Sequence, residues 1–321
     1  MLFSRLMVRR IRLGSGLLLL LFVAGHLSNL GLGLVSVDAM ERSRGALLMP
    51  WQTRFGQALL VAAAIVHAGL GLASLASRHS LTMSRTDWVQ LLLGVATPPL
   101  LLNHVVGLQV TSDLVARFNA DYGYVLAVYW RYAPLFALQQ LLVEVIVWAH
   151  GAIGLYSTLV LKRAWPRMAP IVVPMLFAIP ILALLGFAHA GEAVLARLAS
   201  DTAWRALIEQ NLQLRQTIGH RLNVVEGGVF LVYGAAVALA VGVLVANILR
   251  RRRMPVTVSY DGGLTAMDVS ECRCSRSAER TTFLMRVSAG AAPVAGRAGS
   301  SWPPIPISTR RPKRSWRPST G

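Results

Sequence analysis

Charge is scarce in this chain. Only 14% of its 321 residues are charged, and acids are the rarer sign, with 14 Asp and Glu against 32 Lys and Arg. With 55% hydrophobic residues and a mean hydropathy of +0.54, that scarcity excludes an ordinary soluble domain and points to several membrane spans. Cysteine is almost absent. Cys272 and Cys274 are separated by one residue, poor spacing for an intrachain bridge, so a disulfide framework is excluded. The net charge of +18 invites a nucleic-acid reading. Its positive residues, however, sit mainly at the N-terminus, in short loops and in the C-terminal tail. That is the distribution of a polytopic membrane protein, and nucleic acid is not expected as a partner.

Six apolar runs are long enough to cross a bilayer. They lie at Ser15–Val37, Phe55–Ser77, Trp88–Val110, Ala133–Leu161, Ile171–Ala190 and Val224–Leu249. The expected fold is an all-α, six-transmembrane helix bundle over residues 1–253. Arg5, Arg9, Arg10 and Arg12 precede the first span, and Arg78 and Arg85 separate the second and third. Lys162, Arg163 and Arg167 separate the fourth and fifth, and Arg250 to Arg253 follow the sixth. The loops on the other side mix acids with bases. Both termini are therefore expected in the cytoplasm.

Five of the 7 histidines fall on spans: His26, His67, His104, His150 and His189. An ionisable ring inside a membrane is costly, which makes each a functional candidate. Depth sorts them. His67 lies 11 residues before Arg78 and His150 lies 13 before Arg163, each roughly 17–20 Å along its helix from the basic end. His26 lies 14 residues past Arg12 and His104 lies 19 past Arg85, roughly 21–28 Å along. His67 and His150 thus form an inner level, His26 and His104 an outer one. His189 falls at the outer boundary, and His220 just before the sixth span.

Two imidazoles at one depth on different helices can clamp an iron from both sides. Small neighbours leave room for a flat macrocycle: Gly25, Ala68 and Gly69, Gly107, Gly151 and Gly154. The plainer reading is that each histidine hydrogen-bonds across a helix interface. Zinc is less favoured, because the spans offer only Glu144 and Glu226 as further ligands. His189 and His220 are expected in interfacial roles. A sequence repeat is also visible. IVHAGLGLASL (Ile65–Leu75) matches WAHGAIGLYST (Trp148–Thr158), and PPLLLNHVVG (Pro98–Gly107) loosely echoes IPILALLGFAHAG (Ile179–Gly191). The second and third spans therefore read as repeated in the fourth and fifth.

SGLLLLLFVAGHLSNLGLGL (Ser15–Leu34), with an arginine just before it, resembles the first span of succinate dehydrogenase and fumarate reductase cytochrome b subunits. In dihaem members, four consecutive helices supply the ligands, first paired with third and second with fourth. That implies His26 with His104 and His67 with His150, and two b-type haems. Over residues 1–262 the six spans, the HAGLGL and WxHGxIGL phrases and AGEAV (Ala190–Val194) resemble the sensor domain of bacterial membrane-anchored class III adenylate cyclases. There the spans precede a [2Fe-2S] ferredoxin domain and the cyclase. VTVSYDGG (Val256–Gly263) resembles the first strand of that ferredoxin, so residues 254–270 are expected to be its start. The resemblance implies a redox or quinone sensor, membrane lipid and quinone as small-molecule partners, a homodimer, and the bacterial inner membrane. A cytochrome b-type anchor of a respiratory complex is the alternative.

The tail departs from this pattern. Cys272 and Cys274 alone cannot hold a cluster that needs four cysteines, so no [2Fe-2S] cluster is expected here. No cyclase catalytic residues are visible either. Residues 271–321 read as a disordered basic tail rich in Arg, Ser, Pro and Ala. Reading the codons of TTFLMRVSAGAAPVAGRAG (Thr281–Gly299) one base earlier permits NDIPHACLCGGRARCRTCR, which restores the cysteine phrase of this ferredoxin type. The expectation is a frame slip near residues 263–271, which leaves a truncated sensor with an out-of-frame tail. A genuine basic tail on anionic lipid is the competing reading.

Overall fold

The computed structural model describes residues 2–115, 117–253, 256–259 and 265–268. The expected disordered tail, with Cys272 and Cys274, lies outside them. Ten α-helices appear in order among the described residues: α1 (Leu2–Gly31), α2 (Val37–Gln52), α3 (Arg54–Ala76), α4 (Arg85–Val105), α5 (Thr111–Leu114), α6 (Tyr122–Ala127), α7 (Pro134–Leu159), α8 (Trp165–Ser200), α9 (Thr202–Thr217) and α10 (Gly219–Arg253). Turns of π-helix cover Val106–Val110 and Val128–Tyr132. Six stretches are long and apolar enough to span a membrane: Leu6–Leu34, Arg54–Ala76, Arg85–Leu114, Pro134–Leu159, Trp165–Ser200 and Gly219–Arg251. The protein is a multi-pass, helical membrane protein.

Short polar side chains start several of these helices by accepting orphan backbone N–H groups. Thr53 accepts from Gly56 N at 3.0 Å at the head of α3. Ser84 and Asp87 form a reciprocal capping box on α4. Asp121 and Asp201 cap α6 and α9.

Proline within a span frees the carbonyl four residues earlier, and a membrane offers no water to satisfy it. Two such carbonyls find side chains on other helices. The Trp148 indole N–H donates to Leu176 O at 2.7 Å, four residues before Pro180. The Tyr233 hydroxyl donates to Val95 O at 2.7 Å, four residues before Pro99. The prolines thus create acceptors that tie α7 to α8 and α10 to α4. Asn247 adds a second tie, from α10 to the C-terminal carbonyl of Ala76 on α3, at 2.9 Å.

α1 packs most extensively on α8 and α3, and α4 on α7. The end of α1 and the 3-10 turn after it (Leu32–Leu34) meet α8 through glycine. A Cβ on Gly33 would strike the Gly186 carbonyl, and one on Gly186 would strike the Leu30 carbonyl. Close backbone approach of this kind is how membrane helices gain dispersion contacts without a hydrophobic driving force. Gly186→Ala is expected to cost about 1–3 kcal/mol through overpacking against backbone. Thermal unfolding in detergent reads the loss, with Gly45→Ala, an open position, as the control.

The segments expected as loops opposite the basic end differ from that expectation. They are largely helical and form a cap with the main buried cluster. Met40, Tyr122, Tyr124, Leu126, Tyr129, Phe187, Val194 and Ile208 meet there, with Trp130 and Trp204 against them. Spans face lipid on their outer sides and bury little, so much of the buried apolar surface collects where α2, α6 and α9 fold onto α8. Asn29, fully buried, is held by the Tyr122 hydroxyl and donates to Met40 O at 3.0 Å.

The described residues after Arg251 belong to a separate unit. Within it β1 (Val256–Ser259) pairs antiparallel with β2 (Thr265–Asp268), Val256 opposite Asp268 and Ser259 opposite Thr265. The fold is therefore all-α through Arg253, with a two-stranded hairpin after it.

Candidate functional site

The structure places His26 on α1 beside His104 on α4, with ring centres 6.1 Å apart. It places His67 on α3 beside His150 on α7, with ring centres 6.0 Å apart. These are the partners expected from depth. The rings cross at 62° in the first pair and 86° in the second. All four are partly buried.

The inner pair is built twice from one device. His67 Nδ1 lies 3.0 Å from the carbonyl of Arg12, and a Cβ on Gly16 would sit 2.7 Å from its Cε1. His150 Nδ1 lies 3.1 Å from the carbonyl of Gln90, and a Cβ on Gly94 would sit 2.7 Å from its Cε1. In each case a glycine opens the flank of a neighbouring helix, and the carbonyl one turn before it receives the ring. A carbonyl only accepts, so each Nδ1 carries the proton. Nε2 is left with its lone pair, and a neutral imidazole in that state is a metal ligand. None of the four Nε2 atoms bonds to protein among the described residues.

Sequence reasoning missed both glycines, though a signal was present. Gly16 is ten residues before His26, and Gly94 is ten before His104. The internal repeat is corrected by the same observation. The first and second spans recur as the third and fourth, whereas the sequence echo had joined the second and third to the fourth and fifth. His189 is no counterpart of His104. It is exposed on α8, in the wall of a cavity of about 360 Å³ with Asp38, Glu41, Arg197 and Trp204. His220 is also exposed, in the first turn of α10. The glycines adjoining the histidines in sequence face elsewhere: Gly151 meets Leu20, and Gly25 meets the Leu47 carbonyl. Successive helical residues point about 100° apart, so a neighbour in sequence is not a neighbour of the ring.

The outer pair is held differently. His104 Nδ1 lies 3.1 Å from the Tyr129 hydroxyl, which comes from the π-helical turn of the cap. Burial pushes the Tyr129 phenol above its ordinary range, against a smaller lowering by Arg215, so it stays protonated. His26 stacks on Phe22, with ring centres 5.9 Å apart and planes at 14°.

No family model, curated protein or solved structure matches the chain. No group of three or more His, Cys, Asp or Glu side chains gathers at one point among the described residues. What the bundle brings together is therefore two imidazole pairs, one between α1 and α4 and one between α3 and α7.

Proposed function

We propose that the six-span domain is a dihaem-b sensor of redox state or quinone, the regulatory N-terminal part of a class III adenylate cyclase. The observation that carries this reading is the two imidazole pairs, each with ring centres about 6 Å apart on different helices. An iron–nitrogen bond of about 2 Å on each side, plus half of each ring, separates ring centres by roughly 6 Å. Both pairs fit that spacing, and the two carbonyl acceptors support Nε2 ligation. His67 and His150 would hold one haem, and His26 and His104 the other. When bound, each haem supplies a one-electron couple. The chain's own residues orient the imidazoles, keep Nδ1 protonated, and exclude water through the cap and the lipid-facing spans.

A sensor also needs a route to its output. Tyr233 of α10 bonds the carbonyl of Val95, the residue after Gly94, against which His150 rests. α10 continues in sequence towards β1, which falls on the strand that resembles a ferredoxin opening. In this reading the protein sits in the bacterial inner membrane with both ends in the cytoplasm, works as a homodimer, and meets lipid and quinone.

The gene tests the assignment. Sequencing from the Gly263 codon onward is expected to show that one lost or inserted base restores NDIPHACLCGGRARCRTCR or a close variant. Ferredoxin and class III cyclase coding should then follow. Immediate stop codons in that frame would remove the cyclase assignment. A neighbouring gene for a flavoprotein subunit would favour a respiratory cytochrome b anchor built on the same four histidines.

A further inference from the structure

The two imidazole pairs differ in what holds them. Each inner ring leans on glycine and donates an Nδ1–H hydrogen bond to a backbone carbonyl, that of Arg12 or Gln90. The outer ring of His104 meets a side chain, the Tyr129 hydroxyl, 3.1 Å away. A carbonyl can only accept, and it belongs to a helix that does not turn. A hydroxyl both donates and accepts, can rotate, and can be deleted without touching the backbone. Tyr129 is only 9% exposed and packs on Phe187 of α8, with ring centres 6.2 Å apart. Its ring comes from the cap and is held there against α8. His104 lies at the end of α4, immediately before one π-helical turn, and Tyr129 lies within another. Such turns re-aim side chains and recur at functional sites.

We propose that Tyr129 is the positioning residue of the outer centre, its hydroxyl oxygen accepting a hydrogen bond from His104 Nδ1–H so that the cap sets the outer haem independently of the inner one. The proposal rests on the dihaem reading. A ligating imidazole whose N–H is accepted by a partner is a stronger donor, and a stronger donor favours the oxidised metal. Removing the acceptor therefore raises the midpoint potential of the centre it serves. It also loosens the ring, and loss of such a partner weakens metal affinity by about 10- to 100-fold.

The test is Tyr129→Phe, which keeps the aromatic ring in the cap and removes one oxygen. Tyr124→Phe is the control. It removes a hydroxyl from the same buried cap, and that hydroxyl has no hydrogen-bond partner among the described residues. Purified full-length protein supplied with haem is followed by optical redox titration and by electron paramagnetic resonance of the oxidised state. The expected result in Tyr129→Phe is one component with a raised potential, a displaced low-spin signal and weaker haem retention. The other component should stay at its wild-type values, and Tyr124→Phe should match wild type. Adding His104→Ala to Tyr129→Phe should eliminate the displaced component, which assigns it to the outer centre. The proposal is overturned if Tyr129→Phe leaves both components unmoved, or if both variants shift both components alike, which would mark a merely structural effect. A wild-type protein that binds no haem would sink the dihaem reading itself, and that outcome is distinct from the first two.

Discussion

Purified in detergent from cells supplied with haem, the protein is expected to carry about two haems per chain and to show a low-spin b-type spectrum. Two imidazole pairs stand at ring separations of 6.0 and 6.1 Å, and each belongs to a different level of the bundle. Low spin follows from two strong nitrogen ligands on each iron. The pyridine haemochrome assay, set against protein concentration, gives the stoichiometry. A preparation with no Soret absorbance would return the four histidines to ordinary helix-interface duty.

The second large effect concerns which histidines act together. His67→Ala and His150→Ala are each expected to remove the same haem, the one nearer the basic end. His26→Ala and His104→Ala should each remove the other. Loss of either ligand leaves one imidazole facing an open side, so each single variant should fall to about one haem per chain, and His67→Ala with His26→Ala to none. Redox titration and paramagnetic resonance identify which component disappears. His79→Ala and His189→Ala should retain both. If His67→Ala and His104→Ala eliminated one common component, the pairing seen in the bundle would not be the pairing of ligands.

Much of this was readable in sequence, for a local reason. Apolar runs of span length, the basic residues between them and the fixed rise of a helix are properties of consecutive residues. They yielded six spans and two histidine levels without any tertiary knowledge. The cap was not readable in the same way. α2 and α9 interleave apolar residues with charged and polar ones and have no apolar run of span length, so they resemble loops until α8 offers them a surface. α8 itself runs on to Ser200, ten residues past the expected end at Ala190, because the cap packs on Val194 and Leu198.

The supporting residues of the candidate site show the limit more sharply. Gly16, Gly94 and Tyr129 act on histidines elsewhere in the chain. The bonds they accompany join residues 55, 60 and 25 positions apart. Nothing in a local pattern says which face of α1 meets α3, or which carbonyl an imidazole will reach. That depends on helix rotation and on how closely two backbones approach, and only packing decides both. The sequence by itself determined the spans, the depth of each histidine and therefore the candidate pairs, because each follows from the rise of a helix. The tertiary structure decided which glycines admit the inner rings, that a carbonyl serves each of them, and that a cap tyrosine serves His104, because side-chain direction is settled only when helices dock.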